Sequence, residues 1–202
     1  MLCLGSLGAP GAWSSGMNSD GLALADNQIA TADHGPGMLR YFLMNTLLAT
    51  CATVAAALAL IRALPHAGGG SLVLDDRGGA GATVALRHHR VDVTRGATVA
   101  HTNHYTAAPD RLPPVAHSAG RLETLRAALA EQPARDPRAI LALHAPTALC
   151  RHAPPDPSPT LAGAVWDTRN GVALLALGPP CCTPWRRFEP APDGWRETHA
   201  LA

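Results

Sequence analysis

The sequence predicts an α+β fold in which helices cover antiparallel strands. The predicted elements follow the order strand, helices, four short strands, helices and two strands, which differs from the strict alternation of a parallel α/β sheet. Two pairs of strands flank glycine-containing turns of the hairpin type. At 202 residues the chain fits one domain with a substantial core, and its sequence contains no internal repeat and no glycine-rich loop with nucleotide-site spacing.

The chain up to residue 101 carries a first strand, two helices and a strand meander. Thr53 is a favourable N-cap that divides one apolar run into two helices, and Pro65 ends the second of them. Gly78 and Gly79 form the turn of a hairpin. We predict helices over residues 38–50 and 54–64, and strands over residues 21–26, 71–75, 82–87, 91–93 and 97–101.

The uncharged run over residues 41–61 has an alternative interpretation as a membrane span. Its 21 residues would suffice to cross a bilayer. Asn45, Thr46 and Thr50 argue against this, as does an alanine content that contributes little apolar area. We therefore predict two buried helices and no membrane partner, and the span stays the alternative.

The second half of the chain is predicted to contain two helices followed by a hairpin. Ser118 can cap the first helix, and Asp136 followed by a proline is a typical start for the second. Asn170-Gly171 is a strong hairpin turn. The elements are a helix from residue 118 whose apolar face carries Leu122, Leu125 and Leu129, a helix over residues 137–143, and strands over residues 161–166 and 172–177.

Charge and cysteine usage restrict the class of partner and the compartment. A formal net charge of +1 gives no reason to expect a nucleic acid or an anionic membrane as partner. The five cysteines form an odd, scattered set, and no signal peptide is visible, so we expect a reducing compartment, the cytoplasm. Cys181-Cys182 lacks the spacing of zinc or redox pairs and is predicted to be structural.

The hexapeptide His101-Thr102-Asn103-His104-Tyr105-Thr106 follows a β-branched run and is the main candidate for chemistry. On a strand, His101 and His104 would point to opposite faces, so no metal site is predicted there. No GxSxG nucleophile motif is present. Two alternatives stay open from these residues alone: Asn103 donates a hydrogen bond to an oxyanion, or the segment is a polar strand end without chemistry.

Several segments in order resemble the penicillin (isopenicillin N) acyltransferase family, which are cysteine-type autoproteolytic N-terminal-nucleophile hydrolases. The resemblance spans roughly residues 10 to 188 and includes a helix pair and two hairpins. Its most specific part is the H-T-N-H signature. The matching motifs are GMNSDGLALADN (16–27), VAHTNHY (99–105), the S-x-x-R of residues 118–121 and LCRH (149–152).

The resemblance implies a four-layer αββα sandwich and an amide hydrolase or acyltransferase that works through an acyl-enzyme. It implies a small acyl amide or thioester as substrate and no cofactor. Residues 1–188 would be the C-terminal portion of such a domain, and residues 189–202 are predicted to be a poorly ordered tail. Asn103 would be the oxyanion donor, and the site-supporting residues would be His101, Thr102, His104, Asn18 and Arg151.

The chain departs from the family at its N-terminus, where a nucleophilic cysteine with a following strand and hairpin is expected. Only Cys3 precedes the 16–27 motif, and its surroundings do not resemble the family's cleavage site. We therefore expect a domain that is incomplete at its N-terminus and lacks its nucleophile, with a non-catalytic binding or structural module as the alternative. An exposed sheet edge would favour self-association.

Overall fold

Two antiparallel sheets and four helices make up the described part of the chain. The computed structural model describes residues 1–5, 14–108, 110–131, 136–144, 147–153 and 158–201. The elements are β1 Leu2–Leu4, β2 Ser15–Met17, β3 Ala23–Asn27, α1 Arg40–Thr50, α2 Val54–Ala63, β4 Ser71–Asp75, β5 Gly81–Leu86, β6 Val91–Gly96, α3 Ser118–Glu131, α4 Pro137–Leu141, β7 Gly163–Asp167, β8 Val172–Ala176, β9 Trp185–Ala191 and β10 Gly194–Leu201. The predicted α+β class is confirmed.

The larger sheet has two chemically different faces. Its six strands follow the order β1 to β6, and each pairs antiparallel with its neighbour in sequence. Leu72, Leu74 and Val84 alternate onto the face that packs against α1 and α2 in the main hydrophobic core. Ser71 and Thr83 therefore point to the opposite face. We call these the helix face and the polar face.

The helix pair forms because polar groups divide the apolar run. The Thr53 hydroxyl accepts a hydrogen bond from the Ala56 N–H at 3.2 Å, which confirms the predicted N-cap. The buried Asp76 carboxylate accepts from the Val54 N–H at 2.8 Å. Among the described residues, the structure contains no helix that is both long and apolar enough to cross a bilayer.

Asn18 joins the end of α1 to the turn between β2 and β3. Its side chain donates to the carbonyl oxygens of Leu48 and Cys51, at 3.0 and 2.8 Å, and accepts from the Leu22 N–H at 3.0 Å. The residue is 6% exposed, so these partners replace water for carbonyls that the helix end leaves unpaired.

The predicted strand over residues 97–101 is not present. β6 instead continues to Gly96, beyond the predicted end at residue 93, and the following residues form no strand. The polar side chains of residues 101–104 bond to Ser71, Ser118 and Arg121 instead of extending a sheet ladder. Strand alternation therefore does not separate His101 from His104, contrary to the prediction.

The predicted poorly ordered tail is corrected by the hairpin of β9 and β10. β9 pairs with β8, so the hairpin extends the second sheet, whose order is β10-β9-β8-β7. Pro192 and Asp193 form the turn before Gly194, the first residue of β10, which has φ +132°, and Arg186 donates to Glu197 across the strands at 2.8 Å. An Asp-Gly turn signal was thus present within the segment assigned to the tail.

The second sheet lies next to the polar face of the first. Trp166 on β7 lines a small cleft with Ala23, Ala25 and Val73, and the Thr168 hydroxyl donates to Asp75 at 2.9 Å. The αββα layering itself stays a prediction.

Helices α3 and α4 begin at the predicted residues, and Asp136 caps α4 by accepting from the Arg138 N–H at 2.9 Å. On α3, Leu122 is buried but Leu125 and Leu129 are only partly buried.

We expect Asn18→Ala to lower the free energy of unfolding by about 3 kcal/mol, because it leaves buried carbonyl groups without a donor. Denaturant unfolding measures this loss. Asn170→Ala in the exposed β7–β8 turn is the matched control and should change stability by less than about 1 kcal/mol. Equal effects of the two substitutions would contradict the anchoring role of Asn18.

Candidate active site

The segment 101–105 crosses the polar face of the larger sheet between β6 and α3. The His101 Nδ1 lies 2.9 Å from the Ser71 hydroxyl on β4, which fixes the segment to that face. His101 and Thr102 are 8% and 6% exposed. A polar, irregular segment is buried here because side chains satisfy the groups that a sheet ladder would otherwise pair.

Hydrogen bonds join Thr102, His104 and Ser118, and the donor and acceptor of each bond can be assigned. The Thr102 hydroxyl donates to the Ser118 carbonyl at 2.9 Å, so its oxygen accepts from the Ser118 hydroxyl at 3.1 Å. That leaves the Ser118 oxygen to accept from His104 Nδ1 at 2.8 Å. The first residue of α3 therefore holds both the threonine and the second histidine of the H-T-N-H signature.

Asn103 is oriented by two partners of opposite character. Arg121 donates from Nη2 to the amide oxygen at 2.7 Å, and the amide nitrogen donates to the Gln28 carbonyl at 2.9 Å. A guanidinium has only donors and a carbonyl only acceptors, so the amide oxygen must face Arg121 and the amide nitrogen must face Gln28. The amide nitrogen carries two protons, and Gln28 takes one, which leaves the second for a ligand.

Two cavities flank the segment. The smaller, of about 120 Å³, is lined by Asn103, His104 and Tyr105 together with Ile29 and the loop before α3. The larger, of about 400 Å³, lies over the polar face; its lining residues include Thr83, Thr94, Thr98, Thr106, Arg126 and Leu129. Only the larger one falls within the usual size range of small-molecule sites.

Their surroundings favour the neutral form of both signature histidines. Burial lowers the pKa of His101 below its ordinary value of 6.5, and burial, together with Arg126 and Arg121, lowers the pKa of His104. His101 Nδ1 is 2.7 Å from the Thr102 carbonyl, an acceptor, so this nitrogen carries the proton.

Arg87 and Asp110 support the segment from its C-terminal side. The Arg87 guanidinium lies 3.7 Å above the Tyr105 ring, and the Tyr105 hydroxyl donates to the Leu86 carbonyl at 2.8 Å. Asp110 accepts from the Thr31 hydroxyl at 2.6 Å and from the Ala32 N–H at 3.0 Å. The hydrogen bond from Thr31 is the main reason that the pKa of Asp110 is well below its ordinary value.

The structure does not bring every predicted site residue to Asn103. Asn18 precedes β3, whereas Gln28 follows it, so the length of β3 separates them by about 15 Å. Arg151 lies ahead of β7, where its backbone exchanges hydrogen bonds with Thr160.

Cys3 is separated from Asn103 by the larger sheet. Its side chain packs against the core on the helix face, and β1 lies two strands from β3, about 10 Å away. Burial raises the pKa of its thiol. The Cys3 thiol therefore lies on the face of the sheet opposite the signature segment.

Ser71, Asn27 and Gln28 belong to the site although sequence reasoning did not single them out. Asn27 pairs with Ser71 in the sheet register, so both side chains are on the polar face. Gln28 contributes only its carbonyl. The available signal was the change from the apolar strand residues to Asn-Gln at the end of β3, but a backbone acceptor cannot be identified from residue type.

His101 should make stability depend on pH. Because its pKa is lower in the folded chain than the ordinary 6.5, the folded state binds fewer protons than the unfolded state below that pH, and stability is lost as pH falls. The difference in unfolding free energy between wild type and His101→Gln isolates this contribution. It should shrink on going from about pH 7.5 to about pH 5.5. A difference that is constant or grows on acidification would contradict a neutral, buried His101.

The chain is similar to known proteins in sequence and in structure. Residues 4–181 match the sequence model of the acyl-coenzyme A:6-aminopenicillanic acid acyl-transferase family. No curated protein sequence matches the chain. A variant of conjugated bile acid hydrolase from Clostridium perfringens is similar in structure, with a TM-score of 0.57 and 12% identity over 82% of this chain and 69% of that one.

Penicillin V acylase from Agrobacterium tumefaciens is also similar, with a TM-score of 0.52 and 14% identity over 94% of this chain and 78% of that one. At these identities the likeness concerns the fold alone, which this chain shares with both hydrolases. The family match covers most of the sequence and includes the H-T-N-H signature. The chain therefore belongs to the acyl-coenzyme A:6-aminopenicillanic acid acyl-transferase family.

Proposed function

We propose that Asn103 is the oxyanion donor of an amide hydrolase or acyltransferase. The observation that carries this proposal is the orientation of its amide between Arg121 and Gln28, with a second N–H left for a ligand beside a cavity. Oriented donors that need no rearrangement during the reaction are what stabilises a developing oxyanion.

The proposed reaction is acyl transfer through a thioester. A thiolate attacks the carbonyl carbon of an amide or thioester, and the carbonyl electron pair moves onto oxygen, where the Asn103 N–H stabilises it. Collapse of the tetrahedral intermediate expels the amine or thiol, which takes up a proton, and leaves an acyl-enzyme. Water or an amine then attacks the acyl-enzyme and releases the thiol.

Arg121 strengthens this donor as a positioning residue. Its guanidinium donates to the amide oxygen of Asn103, which draws electron density from the nitrogen and makes the remaining N–H a better donor. Ser118, one turn earlier on α3, holds the neighbouring Thr102 and His104. The S-x-x-R spacing thus places Ser118, which holds Thr102 and His104, and Arg121, which orients Asn103, in the first turn of α3.

The thiol nucleophile is supplied from outside residues 1–202. Cys3 and Cys51 pack on the helix face of the sheet, the Cys150 thiol hydrogen-bonds to Cys181 in the loops outside the helices and strands, and Cys182 follows Cys181 there. Burial raises the pKa of Cys181 as well. None of these positions supports attack on a carbonyl held by Asn103.

The proposed substrate is a small acyl amide or thioester. The cavity of about 400 Å³ on the polar face combines threonine hydroxyls with Val99 and Leu129, a lining that suits an acyl group with both polar and apolar parts. Asn103 lines the cavity of about 120 Å³ on the other side of the segment, which would receive the reacting carbonyl. Bile acid hydrolase and penicillin V acylase, the similar structures, are consistent with this substrate class. Self-association through a sheet edge stays a prediction.

We expect Asn103→Ala to reduce the rate of acyl release by about 100- to 1000-fold, with wild type and variant both produced in and purified from the protein's own source cells. The reason is the loss of one preorganised donor. Rates with a panel of amide and thioester substrates provide the measurement, and Asn170→Ala is the matched control. Arg121→Ala should lower the rate by a smaller factor, because the donor remains but loses its support.

The same preparation tests the origin of the thiol. Its N-terminal residue and intact mass should show a cysteine outside the present numbering, and alkylation of that cysteine should abolish turnover while Cys3→Ser retains it. Loss of activity in Cys3→Ser would contradict the proposed nucleophile. Absence of turnover with every substrate, while acyl ligands still bind, would favour the non-catalytic binding module.

A further inference from the structure

Four potential metal ligands converge at a place that the proposed reaction does not use. His144, Cys150 and His152 follow α4, and Cys181 lies between β8 and β9. The Cys181 sulfur is 3.5 Å from the Cys150 sulfur and 3.1 Å from His152 Nε2, and Cys150 is 3.6 Å from the same nitrogen. The candidate ligand atoms of His144, His152 and Cys181 lie within 4.8 Å of one another.

These separations match the edges of a tetrahedral metal site. Zinc–sulfur bonds of about 2.3 Å and zinc–nitrogen bonds of about 2.0 Å require roughly 3.8 Å between two sulfurs and roughly 3.5 Å between sulfur and nitrogen. The triangle of Cys150, His152 and Cys181 already has this size. The His144 ring centroid is 5.4 Å from that of His152, so this ring is the one that would have to move to occupy the fourth corner.

The chemistry of the set selects the kind of ion. Two thiolates and two imidazoles are a typical closed zinc set, whereas Mg²⁺ and Ca²⁺ prefer oxygen ligands. Cys150 is fully buried, while His144 and His152 are exposed, so an ion can enter from the solvent side. We propose that His144, Cys150, His152 and Cys181 bind one Zn²⁺ ion.

A zinc ion here cross-links two connections that are far apart in the sequence. Binding releases the thiol protons of Cys150 and Cys181 and fixes the loop after α4 to the start of β9. Arg151 lies between two of the ligands, so its backbone is held on both sides. Because the ligands come from segments about 30 residues apart, the spacing rules for adjacent zinc pairs do not detect them.

Cobalt titration of the reduced, metal-free chain tests the site. We expect one equivalent of Co²⁺ to produce thiolate-to-cobalt charge-transfer absorption and the intense visible bands of a tetrahedral complex, and Zn²⁺ to displace it. Zn²⁺ should also raise the melting temperature of the wild type.

Cys181→Ser and His152→Ala should weaken binding by at least about 100-fold. Cys182→Ser removes the adjacent thiol and is the matched control, with unchanged spectra expected. The variants remove exposed side chains, and circular dichroism of the metal-free proteins checks that they fold.

Three results would overturn the proposal. These are the absence of charge-transfer bands in the reduced chain, bands that persist in Cys181→Ser, and bands that disappear in Cys182→Ser. The readout is independent of catalysis, so it stands or fails separately from the role of Asn103.

Discussion

The start of α3 is the constraint on which the candidate site depends. Ser118 and Arg121, one helical turn apart, face the irregular segment that crosses the polar face of the larger sheet and satisfy three of its side chains. Without these partners, the buried Thr102 and the partly buried His104 would carry unpaired polar groups, at a cost of about 1 to 3 kcal/mol for a fully buried group. The same hydrogen bonds that allow burial also orient Asn103, so stability and the proposed chemistry share one set of contacts.

The two faces of the larger sheet separate stability from chemistry. The helix face carries leucines and valines that pack against α1 and α2, and Asn18 and Asp76 fasten those helices to the strand connections. The polar face carries Ser71, the signature segment and the larger cavity. Cys3 packs on the helix face and Asn18 bonds to the end of α1, so both are remote from the proposed reaction. We expect substitutions there to act on the site through overall stability.

Sequence reasoning identified the elements whose signals are local. Thr53 as a cap, the Gly78-Gly79 and Asn170-Gly171 turns and the Asp136 cap all depend on residues close in sequence, and the structure has elements at each of these positions. The strand expected over residues 97–101 was wrong because tertiary hydrogen bonds override its β propensity. The β9–β10 hairpin was missed because the terminal segment was expected to be poorly ordered, although Pro192-Asp193-Gly194 is a typical turn sequence.

The site itself was only partly predictable. The H-T-N-H and S-x-x-R motifs could be located, but their mutual contact, the Gln28 carbonyl and the His/Cys cluster are consequences of folding. The most direct test of the account is NMR measurement of the two side-chain amide protons of Asn103. We predict that the proton bonded to Gln28 exchanges more slowly than its partner and that Arg121→Ala removes the difference. Equal, rapid exchange of both protons in the wild type would contradict an oriented donor.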